Sequence, residues 1–256
     1  MSLLISIQTE LIKTKRSASF WLSFIGAAII PIIMILMYTL GEGEKRYEHY
    51  QKDAWNTHFM EGSQVFAAFL LPMFVILICS LIPQIEYKNN TWKQVFASPQ
   101  SIGSIFFSKY VAILMMVILM LLSFDVLMVF SAVISNLVYP KYNFFNSKFD
   151  ISALLIMNGR CFVALLGIIA IQYWLGLRFR NFIVPIGIGL GLLVMSSMAY
   201  SWEHVYKLPY AFSMLTFISS EAKQPGLQNH ELNSIGYFAF FTLLAFADMR
   251  FRKQRG

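Results

Sequence analysis

At 256 residues, 57% hydrophobic and 13% charged, with a mean hydropathy of +0.61, the chain is too apolar for an ordinary soluble domain, which runs at about 45–50% apolar. The length holds about six spans of roughly 20 residues with short loops, which predicts one all-α integral membrane domain over residues 1–256 and no separate soluble domain. The formal charge of +7 sits beside apolar segments, so it reads as a topology signal rather than a nucleic-acid surface.

Residues 1–18, MSLLISIQTELIKTKRSA, place Leu3, Leu4, Ile7, Leu11 and Ile12 on one helical face, with Gln8, Lys13, Lys15 and Arg16 largely off it. The pattern is either an amphipathic helix on the inner membrane surface or a plain basic flank. A first span is expected over about 19–40. Its basic flank resembles that of a signal peptide. Its apolar stretch is too long, however, and ends in Gly41-Glu42-Gly43-Glu44 with no small-x-small cleavage site, so it reads as a retained anchor. In the outer loop beyond it, His49 and His58 flank Trp55 and read as solvated side chains rather than a metal site.

A second span at about 64–85 leads into the polar island Gln84 to Tyr110, with a coupling-type loop over 86–100 that predicts a short surface helix ending at Ser98-Pro99. Third and fourth spans follow at about 105–138 and 151–177. Cys79 and Cys161 fall inside apolar runs, as small buried hydrophobes do. Asp125 and Arg160 are the intramembrane charges, and such charges are costly without a partner or a cavity. Counted inward at about 1.5 Å per residue, they reach similar depths. An ion pair between the third and fourth spans is expected, the alternatives being a substrate-contacting charge or outward snorkelling of Arg160.

A fifth span over about 181–200 carries Gly187, Gly189 and Gly191, of which Gly187 and Gly191 form a GxxxG suited to a dimer seam. Pro31, Pro72 and Pro185 are expected to interrupt their spans. Between 200 and 234, Trp202, Tyr206 and Tyr210, the breakers Pro209 and Pro225, and the short patch Ala211 to Ile218 predict interfacial or re-entrant helices on the outer face. A sixth span is expected over about 235–251.

Sorting Lys and Arg by loop fixes the expected orientation, because short basic loops resist translocation. One side collects Lys13, Lys15, Arg16, Lys88, Lys93, Lys109, Arg178, Arg180, Arg250, Arg252, Lys253 and Arg255; the opposite loops offset their fewer cations with acids. Both termini are therefore expected in the cytoplasm. GxxxxGK(S/T), HExxH, CxxC and GxSxG are all absent from the sequence, so it offers no nucleotide-cradling loop of its own.

The island has motif-level character. Within EYKNNTWKQVFASP stand Glu86, Lys88, Asn90, Thr91 and Pro99, and Lys109 opens the next span. With six spans, cytoplasmic termini and an amphipathic start, this resembles the permease subunits of type-2 ABC exporters. Asn90, the NNTWK context, the start ELIKTKRSASFWL with Glu10, Lys13 and Trp21, and KLPYAF from Lys207 to Phe212 are similar to the lantibiotic-immunity and bacitracin-type branch.

The resemblance implies a non-catalytic transmembrane subunit in a bacterial cytoplasmic membrane, paired with a second permease copy or paralogue. It has no cofactor of its own; ATP and Mg belong to two partner ABC ATPases. The cargo is an amphiphilic substrate, whether peptide, drug or lipid-like, moved out of the cytoplasm or inner membrane. The implied ATPase-coupling surface comprises Glu86, Lys88, Asn90, Thr91, Trp92, Lys93, Gln94, Phe96 and Pro99, with Trp92 as anchor and Lys93 facing an acid. Alternatively, Trp92 and Phe96 bury into lipid headgroups. A scaffold or assembly subunit, an ion-driven secondary transporter and an intramembrane enzyme acting on lipid are the rival classes.

Overall fold

The computed structural model describes residues 3–15, 17–40, 53–89, 91, 92, 94, 100–218 and 226–251. Every regular element among them is helical. The longer helices are α1 (Leu3–Lys15), α2 (Ala18–Leu40), α3 (Ala54–Val65), α4 (Leu71–Lys88), α5 (Ile102–Val138), α6 (Ile151–Arg178), α7 (Ile183–Met198), α8 (Phe212–Ile218) and α9 (Asn229–Phe251).

Among the described residues, five helical segments are long and apolar enough to cross a membrane: Ala18–Thr39, Ala54–Lys88, Ile102–Val138, Ile151–Arg178 and Asn229–Phe251. The chain is thus a multi-pass membrane protein. The run expected as a fifth span, 181–200, forms as the 16-residue helix α7. At about 1.5 Å per residue it is roughly 24 Å long, short of a hydrocarbon core of about 30 Å.

The second span starts well before its expected boundary. Asp53 caps it, its side chain accepting from Asn56 N at 3.2 Å, and α3, a π-turn over Phe66–Leu70 and α4 then run on continuously. The added turns are amphipathic rather than apolar, with Ala54, Trp55, His58, Phe59 and Gly62 buried, so an apolar-run criterion passes over them. His58 is consequently not a solvated loop residue but is fully buried.

The π-turn leaves a carbonyl outside the regular ladder, and Ser213 of α8 donates to it at Ala67 O, 2.8 Å away. This explains why the Ala211–Ile218 patch turns into the bundle: Phe212, Ser213, Leu215, Thr216 and Phe217 of α8 are all buried. Pro72 follows the π-turn as the second residue of α4, and Pro31 lies inside α2. Pro185 sits instead in the first turn of α7, where its missing N–H breaks no helical bond.

The core is built by α9 lying along α6, α2 along α5, and α4 against α6 and α7. Glycines permit close approaches at Gly189 and Gly176. A Cβ on Gly189 would stand 2.1 Å from Gln172 Nε2, and one on Gly176 would stand 2.8 Å from Cys79 O. The glycine that packs α7 within this chain is therefore Gly189, whereas Gly187 and Gly191 face open space. Cys79 and Cys161 are free and buried.

Candidate functional site

Helix α1 turns its polar stripe toward the protein. Ser6, Glu10 and Thr14, one turn apart along a single face, are buried against the bundle, while Leu3, Leu4, Ile5 and Ile12 are exposed. This stripe packs on the start of α5, where Lys109 lies at 0% exposure.

Four charged side chains from three distant helices converge there. Lys109 Nζ lies 2.6 Å from Glu86 Oε1 of α4 and 2.8 Å from Glu10 Oε2 of α1. Lys13 Nζ closes the ring at 2.8 Å from Glu10 Oε1 and 3.2 Å from Glu86 Oε1. Lys109 is fully buried and the Glu86 side chain is 1% exposed, while the Lys13 side chain keeps 36% exposure as the solvent-facing edge. Burying such charges is costly, and alternating signs within hydrogen-bond distance are what offset that cost. Burial alone would push the Glu10 carboxyl up; Lys109, and then Lys13, outweigh it and hold the group below its ordinary value of 4.5. Burial likewise opposes the Lys13 charge, but Glu10, with Glu86 behind it, raises the ammonium above 10.5.

The cluster adjoins the polar loop. The Trp92 ring is half-buried, 5.3 Å from the Tyr87 ring and 5.8 Å from Lys109 Nζ, so the indole lies over the buried ammonium. On its other side α4 grips the end of α6: Gln84 Nε2 donates to Phe179 O at 3.0 Å, and the Tyr87 hydroxyl donates to Leu177 O at 2.8 Å. These carbonyls are among those a helix C-terminus leaves without intrahelical partners. The charge cluster and these two bonds together join α1, α4, α5 and α6. Beside the cluster is a cavity of about 400 Å³ lined by Asn89, Thr91, Gln94 and Gln100, into which buried Glu86 Oε2 and Ser6 Oγ bring acceptor capacity that no hydrogen bond among the described residues uses.

Of the expected coupling residues, Glu86, Lys88, Thr91, Trp92 and Gln94 are described; Asn90, Lys93, Phe96 and Pro99 lie outside the described residues, as does His49. The intramembrane charges do not pair with each other as expected. Asp125 instead accepts a short hydrogen bond from Asn158, and Arg160 donates to Glu231 Oε1 at 3.0 Å and Gly226 O at 2.7 Å. Two residues along a helix turn a side chain by about 200°, so the position that faces α5 is Asn158, and Arg160 points to α9.

A buried hub at the opposite end of the bundle carried no sequence signal. His58 Nε2 lies 3.1 Å from Met128 O, which can only accept, so Nε2 carries the proton. Nδ1 then accepts from the Tyr38 hydroxyl at 3.0 Å, and Ser131 Oγ lies 2.9 Å from Nε2. The histidine ties α2, α3 and α5 together.

A family model described as "ABC-2 family transporter protein" matches residues 6–196, that is 191 of the 256 residues. No curated protein matches the chain.

Proposed function

Because the chain belongs to the ABC-2 family of transporter membrane proteins, whose permeases work with an ABC ATPase, we propose that it is the passive half of an ATP-driven exporter, with force entering through the loop at 86–100. The observation that carries this reading is the Glu10–Lys13–Glu86–Lys109 ring. It joins helix α1, the end of the second span and the start of the third beside Trp92. A rigid polar node of directional bonds between helices suits the transfer of a push from one to the next. An apolar contact at the same place would slide more readily, having no directional bonds to break.

In this reading, nucleotide-driven closure of two ATPases moves Thr91, Trp92, Lys93, Gln94 and Phe96. The displaced ring carries α1 and α5 with it, while the Gln84 and Tyr87 bonds carry α6. The apolar outer face of α1, with Leu4 at 71% and Ile12 at 64% exposure, suits the inner membrane surface. Loop charge puts both termini in the cytoplasm and the ring on the same side. Helix α7, with the turns beyond it, completes a sixth crossing, and the open Gly187 and Gly191 face suits a second copy or paralogue. The cargo is amphiphilic and moves outward, as in the lantibiotic-immunity and bacitracin-type branch, in a bacterial cytoplasmic membrane.

The test is recovery of the tagged chain in mild detergent. Stoichiometric co-purification of a GxxxxGK(S/T)-bearing ATPase is expected; a chain that runs alone under conditions that preserve a known ABC complex would contradict the reading.

A further inference from the structure

The second span carries one residue more than a regular helix needs at its π-turn. Leu71 N–H bonds to Phe66 O, five residues back, so it does not serve Ala67 O, and the next residue, Pro72, has no N–H to offer. Ala67 is fully buried, where a carbonyl without a donor is costly. Its donor comes from 146 residues away: Ser213 Oγ of α8, itself fully buried, at 2.8 Å. This use of a serine is not forced by burial, since Ser23, Ser80 and Ser135 are buried too and each donates to the carbonyl four residues back in its own helix. A second bond joins α8 to the same span one turn further along, where Gln64 Nε2 of α3 donates to Phe217 O at 3.4 Å. On its other side α8 meets α9, with Thr216 Oγ1 3.3 Å from His230 Nε2 and the Phe212 ring 6.3 Å from that of Tyr237.

We propose that Ala67 is an inserted residue that serves as a latch point, and that Ser213 is the positioning residue that closes it. The extra residue turns one carbonyl out of the helical ladder. The hydroxyl that fills it fastens α8 to the second span, together with the turns Val205–Lys207 and Pro209–Ala211 that lead into α8. Helix α8 and the span then move as one body. Ala67 and Glu86 stand on the same helical segment, about 28 Å apart along its axis, so the latch links the charge ring to the turns at the far end of the bundle. Removing Ala67 would put Leu71 N–H four residues from Phe66 O, the spacing of an ordinary helix, and would leave no carbonyl for Ser213. The latch does not depend on where force enters the chain.

The test compares the full chain in detergent with a chain from which Ala67 is deleted, reading the melting temperature and the hydrogen exchange of the amides of 212–218. In the full chain Ser213→Ala should lower the melting temperature and speed exchange across α8 about tenfold, the effect of one buried hydrogen bond. The chain without Ala67 should fold, should exchange across α8 as fast as Ser213→Ala does, and should show no further change when Ser213→Ala is added. A hydroxyl that only packs would give the same loss in both chains. That result, wild-type exchange across α8 in Ser213→Ala, or failure of the deleted chain to fold, overturns the proposal.

Discussion

Replacing Lys109 with Met tests the charge ring at its centre. The ammonium is fully buried and holds Glu86 at 2.6 Å and Glu10 at 2.8 Å, so its loss leaves two buried carboxylates facing each other. Lys13 still reaches both, at 2.8 and 3.2 Å, but at 36% exposure its field is partly screened by solvent. Each contact to Lys109 is worth about 6 kcal/mol of gross attraction at an effective dielectric constant of about 20. The desolvation of the ions, already incurred in the native state, offsets much of this. Removing one member of a buried set costs about 3–5 kcal/mol because the remaining charges stay buried and uncompensated. Lys109→Met should therefore lower the melting temperature of the detergent-solubilised chain sharply, read by tryptophan fluorescence. Adding Glu10→Gln and Glu86→Gln should recover most of the loss, since no buried anion then lacks a cation. A single variant within about 1 kcal/mol of wild type, or a triple variant no better than the single, would refute the view that these charges act as one unit.

Three further outcomes follow from the same geometry. The Glu10 carboxyl is held below 4.5 in the folded chain, so its stabilising contribution is complete above that pH and is lost as pH falls through the depressed value. An acid melting series should show this limb in the wild type and a shallower one in Glu10→Gln; identical limbs would exclude Glu10 from the linkage. His58→Phe fills similar space but leaves the Tyr38 hydroxyl, Met128 O and Ser131 Oγ without the imidazole, and is expected to cost about 1–3 kcal/mol in the same melt. No change would mean that the hub adds packing alone. Trp92→Ala should leave the melting temperature within a few degrees while lowering transport per ATP hydrolysed in the reconstituted complex, and an unchanged ratio would confine the indole to local packing.

Apolar run length made five of the six expected spans legible among the described residues, and where it failed the cause was local. Helix α3 is buried through an amphipathic face containing His58 and Gly62, which lowers its mean apolarity and hides it from a span criterion. The Asp125–Arg160 pairing inferred from depth was defeated by helical phase, which depth does not encode; Asn158, two residues away, held the facing position. At the candidate site, Glu10, Lys13, Glu86 and Lys109 were each conspicuous by motif or position. That they meet was not, because a contact across 99 residues between Glu10 and Lys109 leaves no periodicity in a single sequence. The start forms a helix, Leu3–Lys15, and the side that docks on the bundle is the polar one, with Ser6, Glu10 and Thr14 inward. In a soluble protein the apolar side would have been the natural choice; the proposed lipid contact of α1 reverses it.

In the proposed function, force enters this chain through its polar loop. The most direct measurement places a photo-crosslinking amino acid at Gln94, exposed beside the charge ring, or at Phe145, 60% exposed at the opposite end of the bundle, in cells. Crosslinks from position 94, and not from 145, to a protein bearing GxxxxGK(S/T) are the predicted result. Capture of that protein from 145, or of none from 94 while the complex is intact, would contradict it.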